Sequence, residues 1–337
     1  MDLLSDYDYH LPEERIAQRP LDDRASSLLL HLDRATGAIA HLRFRKTARL
    51  LRTNDLLVVN DTRVSALRLL GHRPTGAQAQ ALVLTDLGGG RFRALVKPGR
   101  RLRQGAVIEF GSGLSAEILA PLGAGLREIQ FASATDLAVR LAEAGSVPLP
   151  PYVHARLDDP ERYQTVYACT PGSAAAPTAG LHFTADLLDE IRAKGVRVAS
   201  VTLDVGLDTF RRVDTQHLDD HAMHGERCSL PEATAEAIAK CKGRIVAVGT
   251  TTVRTLESFA SGPRQVEAGE KVTRLFIRPG HRFQIVDGAF TNFHMPRTTM
   301  LMMVAALAGQ APLRRAYKEA LEREYRFLSF GDAMLVL

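Results

Sequence analysis

Cysteine is scarce in this chain: Cys169, Cys228 and Cys241 are the whole complement of 337 residues, and no two stand at a CxxC or other metal-ligand spacing. Neither a disulfide framework nor a thiolate-held zinc or iron–sulfur site is indicated, and a reducing, cytoplasmic setting is expected. No uninterrupted apolar run approaches bilayer length, and Met1-Asp2-Leu3-Leu4-Ser5-Asp6 is acidic where a secretory leader carries positive charge. The expectation is a protein neither exported nor embedded in a membrane. Internal repeats and low-complexity segments are also lacking. The triple glycine Gly88-Gly89-Gly90 has no helical pattern after it, so it reads as a hairpin turn and not as a phosphate loop.

What is present describes a globular chain. Hydrophobic residues make up 45% and charged residues 24%, ordinary shares for a soluble protein. A length of 337 residues exceeds one typical domain, so two domains, or one domain with an insertion, are expected. The formal charge of +5, with an isoelectric point near 9.2, is a mild basic bias. It admits an anionic partner such as nucleic acid, nucleotide or phosphate.

The chain opens with a short helix predicted from Pro12 and two strands, Ser27–Leu32 and Ile39–Phe44, about the turn Arg34-Ala35-Thr36-Gly37. Leu56-Leu57-Val58-Val59 then describes a buried strand that delivers Asn60, Asp61, Thr62 and Arg63 at its carboxyl end, where α/β proteins usually bind ligands. Between residues 66 and 150 the texture changes to short strands over 81–85, 91–96, 106–110, 115–119 and 127–131, with a helix over 135–144. That spacing predicts a small antiparallel barrel or sandwich. The basic run Lys97 to Arg103 is a candidate phosphate contact or a solvated turn. Beyond it helices alternate with strands. A helix covers Thr184–Lys194, a strand Val196–Val205, and Ser229-Leu230-Pro231-Glu232 opens a helix in capping-box fashion. The strand Arg244–Gly249 turns directly into a helix at Thr250. Strands at Leu275–Ile277 and Phe283–Val286, helices at Thr298–Ala308 and Leu313–Phe327 and a last strand from Ala333 complete the pattern.

Polar residues gather in loops, as binding residues do when a rigid sheet carries them. In the stretch Ala175 to Thr184, small residues, Pro177 and Gly180 let backbone approach a ligand and set His182 beside a helix start; an ordinary turn capped by Thr184 has the same letters. Thr250 to Arg254 makes a second helix start suited to an anion. His221, His224 and Glu226 lack the HExxH spacing and a fourth ligand, so acid–base or hydrogen-bonding roles are expected rather than a metal. Thr291 to Arg297 brings Asn292 and His294 ahead of an apolar helix, and Tyr325 to Asp332 ends on Gly331-Asp332, with Asp332 its functional candidate.

In order, these stretches resemble one family over almost the whole chain: the S-adenosylmethionine:tRNA ribosyltransferase-isomerases of queuosine biosynthesis. The resemblance rests on Leu11–Gln18, Val58–Val64, Tyr163–Tyr167, Ala175–Phe183, His221–Glu226, Ala247–Thr251, Thr291–His294 and Tyr325–Met334. It implies an α/β fold: an α/β catalytic domain of residues 1–65 and 151–337, interrupted by an inserted small antiparallel β-barrel domain of residues 66–150. The reaction implied moves the ribosyl part of S-adenosylmethionine onto 7-aminomethyl-7-deazaguanine (preQ1) at the tRNA wobble position. Rearrangement then gives epoxyqueuosine, with release of adenine and methionine. S-adenosylmethionine is consumed as a substrate, and neither a metal nor a cofactor is implied; the lack of a Cys triplet agrees, since radical use of this donor needs a thiolate-held cluster. The partners implied are S-adenosylmethionine and a preQ1-bearing tRNA, for a cytoplasmic monomer without membrane contact.

A sulfonium acidifies the neighbouring C5′ hydrogens, so a base is wanted there, and adenine must be protonated as it leaves; His182, His224, Glu226 and His294 are the candidates. The methionine carboxylate wants N–H groups and a cation, which Thr250, Thr251 and Arg254 offer. Asn60, Asp61, Arg63, Pro177, Thr178, Gly180, Asn292 and Asp332 complete the expected substrate contacts, and the arginine-rich surface suits tRNA with salt-sensitive affinity.

Several positions depart from the family pattern. A usual His is Asp204, a usual Gly is Asp208, Gly225 stands for Ser, and Arg227 replaces an aromatic after Glu226. In the segment Gly76-Ala77-Gln78-Ala79-Gln80 two charges are lost. Two other functions are therefore weighed: a catalytically altered paralogue that binds tRNA or a related anionic substrate, and a methyltransferase, for which the required GxGxG unit is missing.

Overall fold

The computed structural model describes residues 3–111, 113–123, 125–132, 136–206 and 213–337, so Asp208 lies outside the described residues. Leu56-Leu57-Val58-Val59 is apolar at every position because its strand is covered on both faces, and all of Leu56–Asn60 is buried. It lies centrally in a nine-stranded sheet ordered Gly269–Thr273, Glu226–Leu230, Arg197–Leu203, Leu56–Asn60, Ile245–Val248, Gly288–Asn292, Ala333–Val336, Leu28–Leu32 and Ile39–Arg43. The four strands from Arg197–Leu203 to Gly288–Asn292 run parallel. Antiparallel pairings extend the sheet at both ends. After Leu56–Asn60 the chain lays Arg197–Leu203 on one side and Ile245–Val248 on the other, so the topological switch point falls at the carboxyl ends of Asn60 and Val248.

Phe44, Phe183 and Phe290 fill the core on one side with Leu57, Val59 and Ile191. Phe44 and Phe183 meet edge to face with centroids 4.9 Å apart, a geometry that suits the ring quadrupoles. The helix Ala185–Ala193 starts where Thr184 Oγ1 accepts the Leu187 N–H at 3.2 Å. Helices Thr250–Ser258, Thr299–Ala308 and Gln310–Glu322 follow.

Three expectations are corrected. Ser229 and Leu230 end the strand Glu226–Leu230, and the helix Glu232–Ala239 begins after Pro231 with no side-chain cap. Leu275–Ile277 is not a strand; the edge strand is Gly269–Thr273. Phe283–Val286 is not a strand either, because the N–H groups of Gln284, Ile285 and Val286 are taken at 2.9–3.0 Å by the Glu257 carboxylate and so need no neighbouring strand.

The chain divides into two compact units, Met1–Thr62 with Pro150–Thr170 and Ala176–Leu337, and Arg63–Leu149 with Pro171–Ala175. In the second, a seven-stranded antiparallel sheet is ordered Gly145–Ser146, Leu67–His72, Gln78–Gly88, Arg91–Lys97, Leu126–Phe131, Ser115–Gly123 and Val107–Glu109. His72 also pairs with Glu109, bringing the row back on itself around Leu69, Ala81, Ile108, Ile118 and Ile129. Among the described residues no helix is long and apolar enough to cross a membrane.

One ion pair fastens the amino ends of two central strands. Asp55, 1% exposed at its side chain, meets the Arg244 guanidinium at 2.6 Å and also accepts the N–H groups of Arg52 and Arg244. Burial alone would push this carboxyl up; its Arg244 and backbone partners outweigh that and hold it below the usual range. Asp55→Asn should lower the unfolding free energy by about 3 kcal/mol, since the Arg244 charge loses its partner. Urea titration at neutral pH checks this, and an unmoved midpoint would show that the pair contributes nothing net.

Candidate active site

At the switch point a cleft opens between the loop Pro177–Ala179, the turn Gly249–Thr251 and the strand end Thr291–Met295, with Val205, Tyr152, Leu328 and Ser329 as further walls. Gly249 makes the turn possible: its φ of +92° is left-handed and disfavours any side chain. A second cleft shares Thr250, Thr251 and Met300 with the first and adds Met223, His224, Arg254, Phe276 and Met303.

Asn60 is fully buried and used internally. Its Nδ2 donates to the Leu203 carbonyl and Thr251 Oγ1, and its Oδ1 accepts the N–H groups of Thr62 and Leu203. Asp61 accepts the Thr202 hydroxyl at 2.7 Å. Arg63 belongs to the second unit. Asp332 is a backbone clasp, one oxygen taking the Leu28 N–H and the other the Arg326 N–H, and it lines neither cleft. Burial first pushes its carboxyl up, against those bonds.

His182 lies behind the first cleft. Asn292 connects the two: its Oδ1 accepts the Thr178 hydroxyl at 2.8 Å and its Nδ2 donates to His182 Nε2 at 3.2 Å. With Nε2 accepting, the proton sits on Nδ1, which donates to Ser27 Oγ at 2.9 Å, while the ring stacks on Phe44 at 5.0 Å. Burial, then Arg326 and Arg24, push His182 down to about 3. His294 lines the first cleft, with Nε2 2.6 Å from Thr291 Oγ1 and its backbone N–H on the Tyr317 hydroxyl, and burial pushes it too down to about 3.

The second cleft holds the charged groups. Glu226, at the start of its strand, accepts the Gly206 N–H at 3.0 Å, pairs with Arg254 Nη1 and lies 3.4 Å from His224 Nε2. Burial would raise its carboxyl; His224, Arg254 and Gly206 together hold it below the usual range. Arg254 is 7% exposed, and its Nε and Nη2 have no hydrogen-bond partner among the described residues. His224 is the most exposed of the three histidines, at 26% of its side chain. Asp204 meets Arg227 at 3.3 Å, so two departures from the family pattern answer each other. Burial raises the Asp204 carboxyl. Among the described residues no group of His, Cys, Asp and Glu is disposed to hold a metal ion.

Of the expected residues, Pro177, Thr178, Thr250, Thr251, Asn292 and His294 converge on the first cleft, and His224 and Arg254 on the second, backed by Glu226. Gly180 supports the loop from below: a Cβ there would run into the Tyr167 hydroxyl and lie 2.8 Å from Thr165 Cγ2. Sequence reasoning missed Tyr152, Val205, Phe276, Met300 and Ser329 as wall residues, and Ser27 and Phe44 as the supports of His182. None of these carries a local signal of that role.

A family profile described as queuosine biosynthesis protein matches residues 4–336. The chain belongs to this family. A relative in Symbiobacterium thermophilum, named S-adenosylmethionine:tRNA ribosyltransferase-isomerase, is 51% identical over 339 aligned positions that cover 99% of each chain. A protein of the same name in Staphylococcus epidermidis is 47% identical with the same coverage. Among solved structures, S-adenosylmethionine tRNA ribosyltransferase from Thermotoga maritima is 36% identical, with a TM-score of 0.56 over 98% of this chain and 100% of that one. The mixed α/β architecture described above is thus that of a queuosine biosynthesis protein.

An unfolded chain protonates His182 and His294 near pH 6.5, whereas the native one keeps both neutral to about 3, so stability is full above about pH 7.5 and falls as pH is lowered through that window. The loss between about pH 7.5 and 5 should be ~2 kcal/mol per histidine. His182→Gln should lose that histidine's share in urea titrations at the two pH values; an unchanged pH dependence would mean that His182 is not held neutral. Separately, Gly180→Ala should cost about 1–3 kcal/mol through overpacking, and adding Tyr167→Phe should recover part of it. Equal midpoints for Gly180→Ala and the parent would show the loop able to give way.

Proposed function

We propose that this chain transfers and isomerises the ribosyl moiety of S-adenosylmethionine onto preQ1 at the wobble position of tRNA, giving epoxyqueuosine and releasing adenine and methionine. Full-length identity of 47–51% to proteins named for that activity supports the reading. In the site, the observation that carries it is the His224–Glu226–Arg254 cluster, set beside the Thr250 helix start and open to the cleft. A base must take a C5′ proton and an acid must meet the departing adenine. His224 is the group for this proton work, because it lines the cleft, keeps 26% of its side chain exposed and is oriented by the Glu226 carboxylate 3.4 Å away. His182 and His294 act through shape: neutral and hydrogen-bonded, they hold Asn292, Thr178 and Thr291 toward the first cleft, where the nucleoside and the base to be modified meet.

The inserted segment is read as a small β-barrel domain, from the return of its sheet through His72 and Glu109, and the protein as a cytoplasmic monomer. The altered-paralogue reading draws on Asp204, but the Arg227 partner meets its charge and Glu226 keeps its own partners. This favours a working enzyme. Purified protein incubated with S-adenosylmethionine and a preQ1-bearing anticodon stem-loop should release adenine and add the epoxycyclopentane unit to the RNA mass; stem-loop binding without adenine would favour the paralogue. His224→Ala should lower the rate of adenine release by about 10²–10⁴-fold with stem-loop affinity kept, and wild-type turnover in that variant would remove His224 from the proton chemistry.

A further inference from the structure

Arg254 pairs with Glu226 through Nη1 alone. Its Nε and Nη2, the two donors along the other edge of the guanidinium, are buried and have no partner among the described residues. Unpaired donors in a site that is 7% exposed are costly, and two parallel N–H groups on one edge match the two oxygens of a carboxylate. Thr250 and Thr251 open the nine-residue helix Thr250–Ser258 and line the same cleft, adding N–H groups and a favourable dipole for an anion. The remaining walls are Met223, Phe276, Met300 and Met303, with Leu275 and Ile277. One anion-binding end and a soft, polarizable, apolar remainder describe a thioether amino acid better than a phosphate, whose second charge and polar ester would meet sulfur and ring edges.

Resting on the ribosyl-transfer reading, we propose that the free edge of Arg254 receives the α-carboxylate of S-adenosylmethionine, which fixes the polarity of the donor. Its methionine chain runs along the methionine-lined cleft. Its sulfonium lies by Thr250 and Met300, which the two clefts share, and its nucleoside extends into the first cleft toward Thr178 and Asn292. In this orientation the C5′ carbon, bonded to sulfur, lies where the two clefts meet, beside Thr250 and Met300.

Decarboxylated S-adenosylmethionine tests this directly, because it differs from the donor by the carboxylate alone. Wild type should prefer S-adenosylmethionine by ~100-fold in kcat/KM, as expected for two charge-assisted hydrogen bonds. Arg254→Lys keeps a cation beside Glu226 without the fork and should shrink the preference to a few-fold. Where that variant does not fold, the double variant Arg254→Gln, Glu226→Gln, which leaves no buried charge unpaired, takes its place. Equal use of both donors by wild type, or an undiminished preference in the variant, would overturn the assignment. Calorimetry with L-methionine and with 3-(methylthio)propylamine needs no turnover. If wild type releases no adenine from either donor, the ribosyl-transfer reading fails, yet methionine binding that requires the carboxylate and is lost with Arg254 would still uphold the subsite. Equal binding of the amine would sink it.

Discussion

Asn60 makes four hydrogen bonds without touching solvent, two to the Leu203 backbone, one to the Thr62 N–H and one to Thr251 Oγ1. The side-chain amide is suited to this because it donates and accepts on adjacent atoms. A carboxylate would present only acceptors, and an apolar residue would leave the Leu203 amide and carbonyl unpaired in a dry site. Through Asn60 the end of one parallel strand and the start of the Thr250 helix hold a fixed separation. Both clefts are built on that separation.

The three histidines show how burial divides labour. His182 and His294 sit where an imidazolium would be desolvated, so they remain neutral and act by where their nitrogens point. His224 is partly open to solvent and stands beside the Glu226 carboxylate, which burial would raise but which His224, Arg254 and Gly206 together hold below the usual range. The same residue type thus sits as a neutral framework in a dry setting and beside a carboxylate, partly exposed, in a wetter one.

Much of the frame was legible because it follows from local pattern. Leu56–Asn60 reads as a buried central strand from its unbroken apolar run, and the helix at Thr250 from the glycine before it. Phe283–Val286 misled because its apolar letters match a strand, while the carboxylate that satisfies its backbone comes from Glu257, 27 to 29 residues earlier. The site was legible as a set of polar loops but not as a circuit. Ser27 and His182 are 155 positions apart, and Glu226 and Arg254 are 28 apart, with Glu226 on a strand paired antiparallel on both sides whose register no local period encodes. Asp332 was read as a substrate contact because it is an acid in a motif; its two oxygens in fact serve backbone N–H groups in two different segments.

Glu257 stands near the far end of the Thr250–Ser258 helix, gripped by three backbone N–H groups and by His281 at 3.3 Å. Seven residues and about 10 Å of helix separate it from Thr250. The helix therefore behaves as a strut anchored at its base: it can neither slide along its axis nor turn about it without tearing the Gln284–Val286 segment from its seat. The placement of the helix start at Thr250 is thus a mechanical property of a joint near the other end of the same helix.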